Sequence, residues 1–230
     1  MPMMLRELAN QRFQDDLVQF KVMGGNVDVV KPMLDDFEDH YITDGQYIFM
    51  NRWAFEHIIK EKPAVHIDIG GQVAFASLLS VLVPVYHIDI REPGIKIGSM
   101  KYVSGSITQL PYNDNSVESL SCLHVAEHIG LGRYGDEIDP DGFKKACREL
   151  SRVLAPNGIL YFAVPSGKSK TVFNAHRIFA SFEVLEQFHD LKLLDFAGMN
   201  SRGLYVGNSN PNVLDDDIYG CGMYRFTKEI

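Results

Sequence analysis

The stretch 117–128, VESLSCLHVAEH, has two readings, and the choice between them sets the fold. Read as helix, its last five residues put His124 and His128 on one face with Glu127 beside them, the H-x-x-E-H spacing of zinc-dependent peptidases. The two histidines would then bind the metal and Glu127 would activate water, with a further ligand from another helix such as Glu183 or Glu186. Read as strand, SLSCLHV runs straight into a turn and the histidine pair is split across it. The second reading is adopted, and no metal is expected.

Working outward, the surrounding segments alternate. Upstream, AVHIDIGG (64–71) is a short apolar run ending in glycines, AFASLLSVL (74–82) can be a short helix, and VYHIDI (85–90) is a second strand-like run. KYVSGSI (101–107) adds another strand. Downstream, PDGFKKACRELSRVL (140–154) is amphipathic, with Phe143, Ala146, Cys147, Leu150, Val153 and Leu154 inward, and Asn157–Gly158 is expected to end it. GILYFAVP (158–165) reads as a strand covered on both faces. Helix RIFASFEVLEQFHD (177–190), strand LKLLDFAGM (191–199) and a last strand in YGCGMYRFTKE (219–229) complete the pattern. This alternation predicts an α/β fold with a doubly wound, mostly parallel sheet. Residues 1–62 lack the β-rich runs and are read as a helical N-terminal extension, and 63–230 as the sheet domain. The extension covers the site or makes a homodimer contact, and periodicity does not choose between these.

The 230 residues carry 46% hydrophobic and 23% charged side chains, and no apolar run approaches the ~18 residues that span a bilayer. The opening MPMMLRELANQRFQDDL has no basic region followed by an apolar one, so the cytoplasm is the default location. Cys122, Cys147 and Cys221 form no C-x-x-C pair, which suits a reducing compartment. A net charge of −8 repels a phosphate backbone, so a small-molecule substrate is expected rather than nucleic acid.

In doubly wound sheets, ligands sit beyond the carboxyl ends of the strands. Asp68-Ile69-Gly70-Gly71 follows the first run, where glycines let a ligand approach the backbone, although no G-x-G-x-x-G fingerprint is present. Asp89 lies about twenty residues beyond, the spacing at which an acid grips ribose hydroxyls. Leu123 and His124 end the fourth strand. GRYGDEIDPDG (132–142) is polar and glycine-rich enough to form a lid, with Arg133, Tyr134 and Asp136 facing the substrate. PSGKSKTVFNAHR (165–177) is the most basic stretch, and its Lys168, Lys170, His176 and Arg177 would suit a phosphorylated or nucleotide-linked substrate.

The order HIDIGG, HIDI, GSITQLPYNDNSVESLSCLHVAEH, RELSRVLAPNGILYFAVP resembles the class I S-adenosylmethionine-dependent methyltransferases over roughly residues 64–165. The flanks YIFMNRWAFEHI, HVAEHIGLGRYGDEIDPDG, FNAHRIFAS and YGCGMYRFTK are similar to the subgroup catalogued as domain of unknown function 268, which occurs with surface-polysaccharide genes. The resemblance implies S-adenosylmethionine as cofactor, with Asp68, Gly70 and Gly71 along its methionine and ribose and Asp89 on the ribose diol. Leu123 would line the cofactor, and Ser106 stands where many relatives carry an aspartate for the adenine. His124 would emerge beside the methyl group as the base, His176 is the second candidate, and Glu127 is a substrate ligand. The implied reaction is methylation of a hydroxyl on a sugar-derived acceptor, such as a nucleotide-linked sugar. The rivals are an amine, carboxylate or phosphate-derived acceptor, a non-catalytic binding module, and, most remotely, the zinc peptidase.

Overall fold

The computed structural model describes residues 3–34 and 45–229, and its chain forms two compact units, Met1–Asp44 and Gly45–Ile230. In the first, helix α1 (Met3–Val22) is followed by irregular chain. Its apolar Leu8, Val18 and Phe20 are exposed rather than gathered on one stripe, so local propensity carries this helix.

The second unit begins well before the expected boundary at residue 63. Helix α2 (Gly45–Glu61) belongs to it because Met50, Trp53, Ala54 and Ile58, spaced along one helical face, are buried with Phe75, Tyr161 and Met223. The remaining elements follow in chain order: β1 (His66–Ile69), α3 (Val73–Leu79), β2 (Val85–Asp89), β3 (Met100–Ser104), β4 (Val117–Leu123), α4 (Gly142–Val153) and β5 (Leu154–Ser166). After them come β6 (Lys170–Val172), β7 (His176–Ile178), α5 (Ser181–Gln187), β8 (Lys192–Met199), β9 (Tyr205–Val206) and β10 (Gly220–Thr227). Eight strands make one sheet in the order β3-β2-β1-β4-β5-β10-β8-β9. The first five pair in parallel, and β10 inserts antiparallel between β5 and β8. This is the expected mostly parallel sheet, and its last strand, β10, runs antiparallel. Alternation along β5 sends Leu160, Phe162 and Val164 toward α4 and α5, and Tyr161 and Ala163 toward α2 and α3.

Two boundaries differ from expectation. Helix α4 stops at Val153, and Asn157 (φ +61°) with Gly158 forms a bulge inside β5, where three extra residues separate the partners of Val117 and Ser119. The helix expected over 177–190 is reduced to α5, because Arg177 and Ile178 pair with β6 in a two-stranded hairpin. Glu183, considered above as a metal ligand, instead accepts from the backbone N–H of Ala180 at the start of that helix, at 2.8 Å.

A buried polar chain joins β1, β2 and β4. Ser121 Oγ donates to Asp68 Oδ1 at 2.6 Å, which spends its only proton, so His66 Nε2 donates to Ser121 at 2.9 Å and His66 Nδ1 accepts from Ser119 at 2.8 Å. His66 is therefore neutral, and burial lowers its pKa to about 4. On the other side His87 Nδ1 donates to Asp68 Oδ2 at 2.8 Å. Burial opposes charge on His87, but the hydrogen bond and the attraction of Asp68 outweigh it and raise the pKa.

Two outcomes are expected. Because His66 has a depressed folded pKa, its contribution is complete above about pH 6.5 and is lost as pH falls toward 4, at up to ~1.4 kcal/mol per pH unit. Urea unfolding between pH 6.5 and 5 should show that loss, and a flat profile would refute the neutral assignment. Asp68→Asn removes the charge facing a protonated His87 and should cost roughly 3 kcal/mol in the same measurement at pH 6.

Candidate functional site

Two adjoining cavities open at the carboxyl edge of the sheet. The larger, about 790 Å³, is bounded by the ends of β1, β2 and β3. Gly70 turns the chain away from β1 at φ +59°, and a Cβ there would press to 3.0 Å from Val125, so the turn needs glycine. Asp89 ends β2. Its Oδ1 accepts from the Arg91 N–H at 2.8 Å, while Oδ2 lies 3.8 Å from that same Cβ position above Gly70. Ser106 lines the cavity beyond β3, its Oγ 2.9 Å from Thr108 Oγ1. Asp68, expected along the cofactor, lines neither cavity. It lies fully buried under the turn, where both oxygens serve Ser121 and His87.

The smaller cavity, about 350 Å³, is built on the turn that follows β4. His124 has φ +55°, a conformation costing a non-glycine residue about 1 kcal/mol, and Ala126–His128 form a single 3-10 turn. The two histidines therefore do not share an α-helical face, and among the described residues no group of three His, Cys, Asp or Glu converges as metal ligands. The His124 ring is held on both sides, with Nδ1 3.0 Å from Glu127 Oε1 and Nε2 3.2 Å from Cys221 Sγ. Burial opposes its charge, but Cys221 and Glu127 outweigh that and raise its pKa, so the ring is protonated near neutrality. Glu127 is completely buried, and neither carboxylate oxygen is aligned for a hydrogen bond within the protein.

Two loops roof this cavity. The β6–β7 hairpin is tied down where His128 Nδ1 (2.7 Å) and Arg133 Nη1 (2.8 Å) both donate to the carbonyl of Ala175. The same tie presents His176, whose ring lines the cavity beside Tyr219 and makes no side-chain hydrogen bond among the described residues. Burial, together with the charges of His128 and Arg133, lowers its pKa. The loop 130–139 is closed by Asp136, which accepts from the N–H groups of Gly130 (2.7 Å), Tyr134 (3.2 Å) and Gly132 (3.4 Å). Gly130 (φ +80°) admits no side chain, since a Cβ would fall 1.9 Å from the carbonyl of Asp139. Tyr134 packs between the guanidinium groups of Arg91 and Arg133, at 4.3 and 5.1 Å from its ring centre.

Gly70, His124, His128 and Tyr134 border both cavities and mark where they meet. Gly71, Leu123, Glu127, Arg133 and His176 line the smaller one, and Asp89, Ser106 and Asp136 the larger. Three basic residues expected at the substrate lie elsewhere, among them Lys170, which is exposed on β6 and lines neither cavity. Arg177 donates to the carbonyls of Ile129 (2.7 Å) and Glu127 (3.4 Å), fastening the turn from behind, and Lys168 is exposed and lines neither cavity. Tyr47, Gln72 and Tyr219 complete the smaller cavity. They follow no motif of known chemistry; Tyr47 and Tyr219 lie in the flanking stretches of the family resemblance, and Gln72 follows the Gly70–Gly71 pair.

Comparisons with known proteins agree with this architecture. The cyclase SpnF superposes with a TM-score of 0.59 over 98% of this chain and 96% of its own, at 14% identity. The 1,6-didemethyltoxoflavin-N1-methyltransferase of Burkholderia thailandensis, solved with its substrate and S-adenosylhomocysteine, gives 0.58 over 89% and 93% at 16% identity. At such identities the shared property is the methyltransferase-type fold. The ubiquinone/menaquinone biosynthesis C-methyltransferase UbiE of Idiomarina loihiensis is 27% identical over 119 residues, 52% of this chain and 43% of the relative, so the chain matches less than half of that protein's length. A family model described as "Caenorhabditis protein of unknown function, DUF268" matches residues 82–205, more than half of the chain, and the chain belongs to that family.

Proposed function

We propose that the protein is an S-adenosylmethionine-dependent methyltransferase acting on a hydroxyl of a small, sugar-derived acceptor, such as a nucleotide-linked sugar used in surface-polysaccharide synthesis. The observation that carries this reading is the pair of cavities meeting at Gly70, His124, His128 and Tyr134. The larger fits the cofactor: Asp89 keeps one carboxylate oxygen toward the cavity for a ribose diol, and the side-chain-free Gly70 leaves room for a ligand against the backbone. Ser106 and Ile107 line the end where an adenine would lie. When bound, S-adenosylmethionine supplies an electrophilic methyl group, so the protein must align the acceptor, exclude water and take up one proton.

His176 is the proton acceptor in this reading. It is neutral at pH 7 because its pKa is lowered, it lines the smaller cavity, and its ring nitrogens have no hydrogen-bond partner among the described residues. His124 is the poorer base because it is already protonated and held between Glu127 and Cys221. It acts instead as a positioning residue for the β4 turn.

Calorimetry with S-adenosylmethionine should show binding, and its absence at millimolar cofactor would remove the enzyme reading; binding without turnover on nucleotide-linked sugars would leave a binding module. His176→Gln should lower turnover by about 10²- to 10⁴-fold with cofactor affinity kept. Since a lowered pKa keeps the base neutral further into acid, the midpoint of the acid fall in kcat/KM should lie below pH 6.5. A decline centred above pH 7 would exclude His176.

A further inference from the structure

Glu127 is the one buried carboxylate in the described chain that lines a cavity while neither of its oxygens has a hydrogen-bond partner. Buried polar groups are nearly always satisfied, and a carboxylate without aligned hydrogen bonds is a costly exception even where a neighbouring charge faces it. Its neighbours leave it so. Arg177 binds the backbone carbonyl of Glu127 and not its carboxylate, and His128 Nε2 stays 3.6 Å away. His124 supplies charge at 3.0 Å without hydrogen-bond alignment. The carboxylate is thus charge-balanced by His124 while its acceptor capacity remains unspent beside the cavity that both residues line.

We propose that Glu127 is the specificity-determining residue for the acceptor, accepting hydrogen bonds from two neighbouring hydroxyls of a polyol. This rests on the methyltransferase reading and narrows it. A carboxylate has two oxygens that can accept in parallel, which matches a vicinal diol. Because the His124 imidazolium already balances its charge, Glu127 gains little from a cationic amine, which would bring His124 and a second cation to the same carboxylate. Tyr47, Tyr134 and Tyr219 line the same cavity beside Gln72, His128, Arg133 and His176, and this mainly polar lining suits a hydroxylated acceptor. Glu127 and His176 line one small cavity, so a hydroxyl presented to His176 has the diol held by Glu127 as its near neighbour.

The test uses the full chain with UDP-glucose and UDP-galactose, each beside monodeoxy analogues lacking one hydroxyl of the hexose. Acceptor affinity is read by calorimetry in the presence of S-adenosylhomocysteine, and KM and kcat by S-adenosylhomocysteine release. Wild type should lose at least tenfold in affinity for one or two of the deoxy analogues. Glu127→Gln, which keeps the shape but halves the acceptor oxygens, should raise KM at least tenfold with a smaller change in kcat, and should no longer distinguish those analogues. Glu127→Asp keeps the charge on a shorter arm and gives the second variant should the first not fold. Unchanged KM and unchanged discrimination in either folded variant, failure of wild type to bind any of these sugars, or tighter binding of a 2-amino-2-deoxy hexose would overturn the proposal. Sugar binding that depends on Glu127 without S-adenosylhomocysteine release would uphold it while removing the enzyme reading, so the two fail separately.

Discussion

The carboxylate of Asp68 holds the sheet edge together. It sits where β1 ends, receives Ser121 from β4 on one oxygen and His87 from β2 on the other, and lies so close beneath Gly71 that a Cβ there would be 2.8 Å from it. Three strand ends and the first turn are therefore fixed by one buried anion. A charge taken out of water is costly unless paired and hydrogen-bonded, so the arrangement has little freedom to drift. Everything above it, including Asp89 two residues beyond His87 and His124 three residues beyond Ser121, takes its position from that anchor. Asp68 thus sets the backbone at the carboxyl edge without lining either cavity.

The turn after β4 uses the same physics in the opposite sense. Asp68 is fully hydrogen-bonded, whereas Glu127 is buried, faced by a protonated His124 and left without hydrogen-bond donors beside the cavity it lines. Holding His124 at φ +55° stores a small strain, and Cys221 from β10 together with Glu127 keeps the ring in place. Around this turn the hairpin and the 130–139 loop are secured through main-chain carbonyls and N–H groups, by His128, Arg133, Arg177 and Asp136. Those side chains shape the cavity walls by binding backbone, which is why several charges that look available in the sequence are spent on architecture.

Much of the fold was legible because burial on both faces leaves a direct imprint. GILYFAVP and HIDI are continuous apolar runs, α4 shows helical periodicity, and glycine or acid follows the strands where the chain must turn. The misread boundaries were those where local signals compete with pairing. Asn157–Gly158 has the chemistry of a helix stop, yet it serves as a bulge in β5, and RIFAS looked helical until β6 claimed Arg177 and Ile178. Of the residues lining the two cavities, Gly70, Asp89, Ser106, His124, Glu127 and His176 stand out in the sequence by their places after strands or in polar loops. Tyr47 and Tyr219 come from opposite ends of the second unit, and no spacing rule joins them.

By itself, the sequence determined that the strands and helices alternate, which strand ends carry polar residues, and that Val117–Leu123 is strand and not helix. These are local matters of period, propensity and turn chemistry. The tertiary structure decided the protonation and use of each ionisable group. Whether a histidine is neutral like His66, paired like His87, locked like His124 or open like His176 depends on burial and on partners many residues away, such as Ser119, Asp68, Cys221 and Tyr219. Four histidines with one ordinary pKa acquire four roles because desolvation and charge act through space and not along the chain.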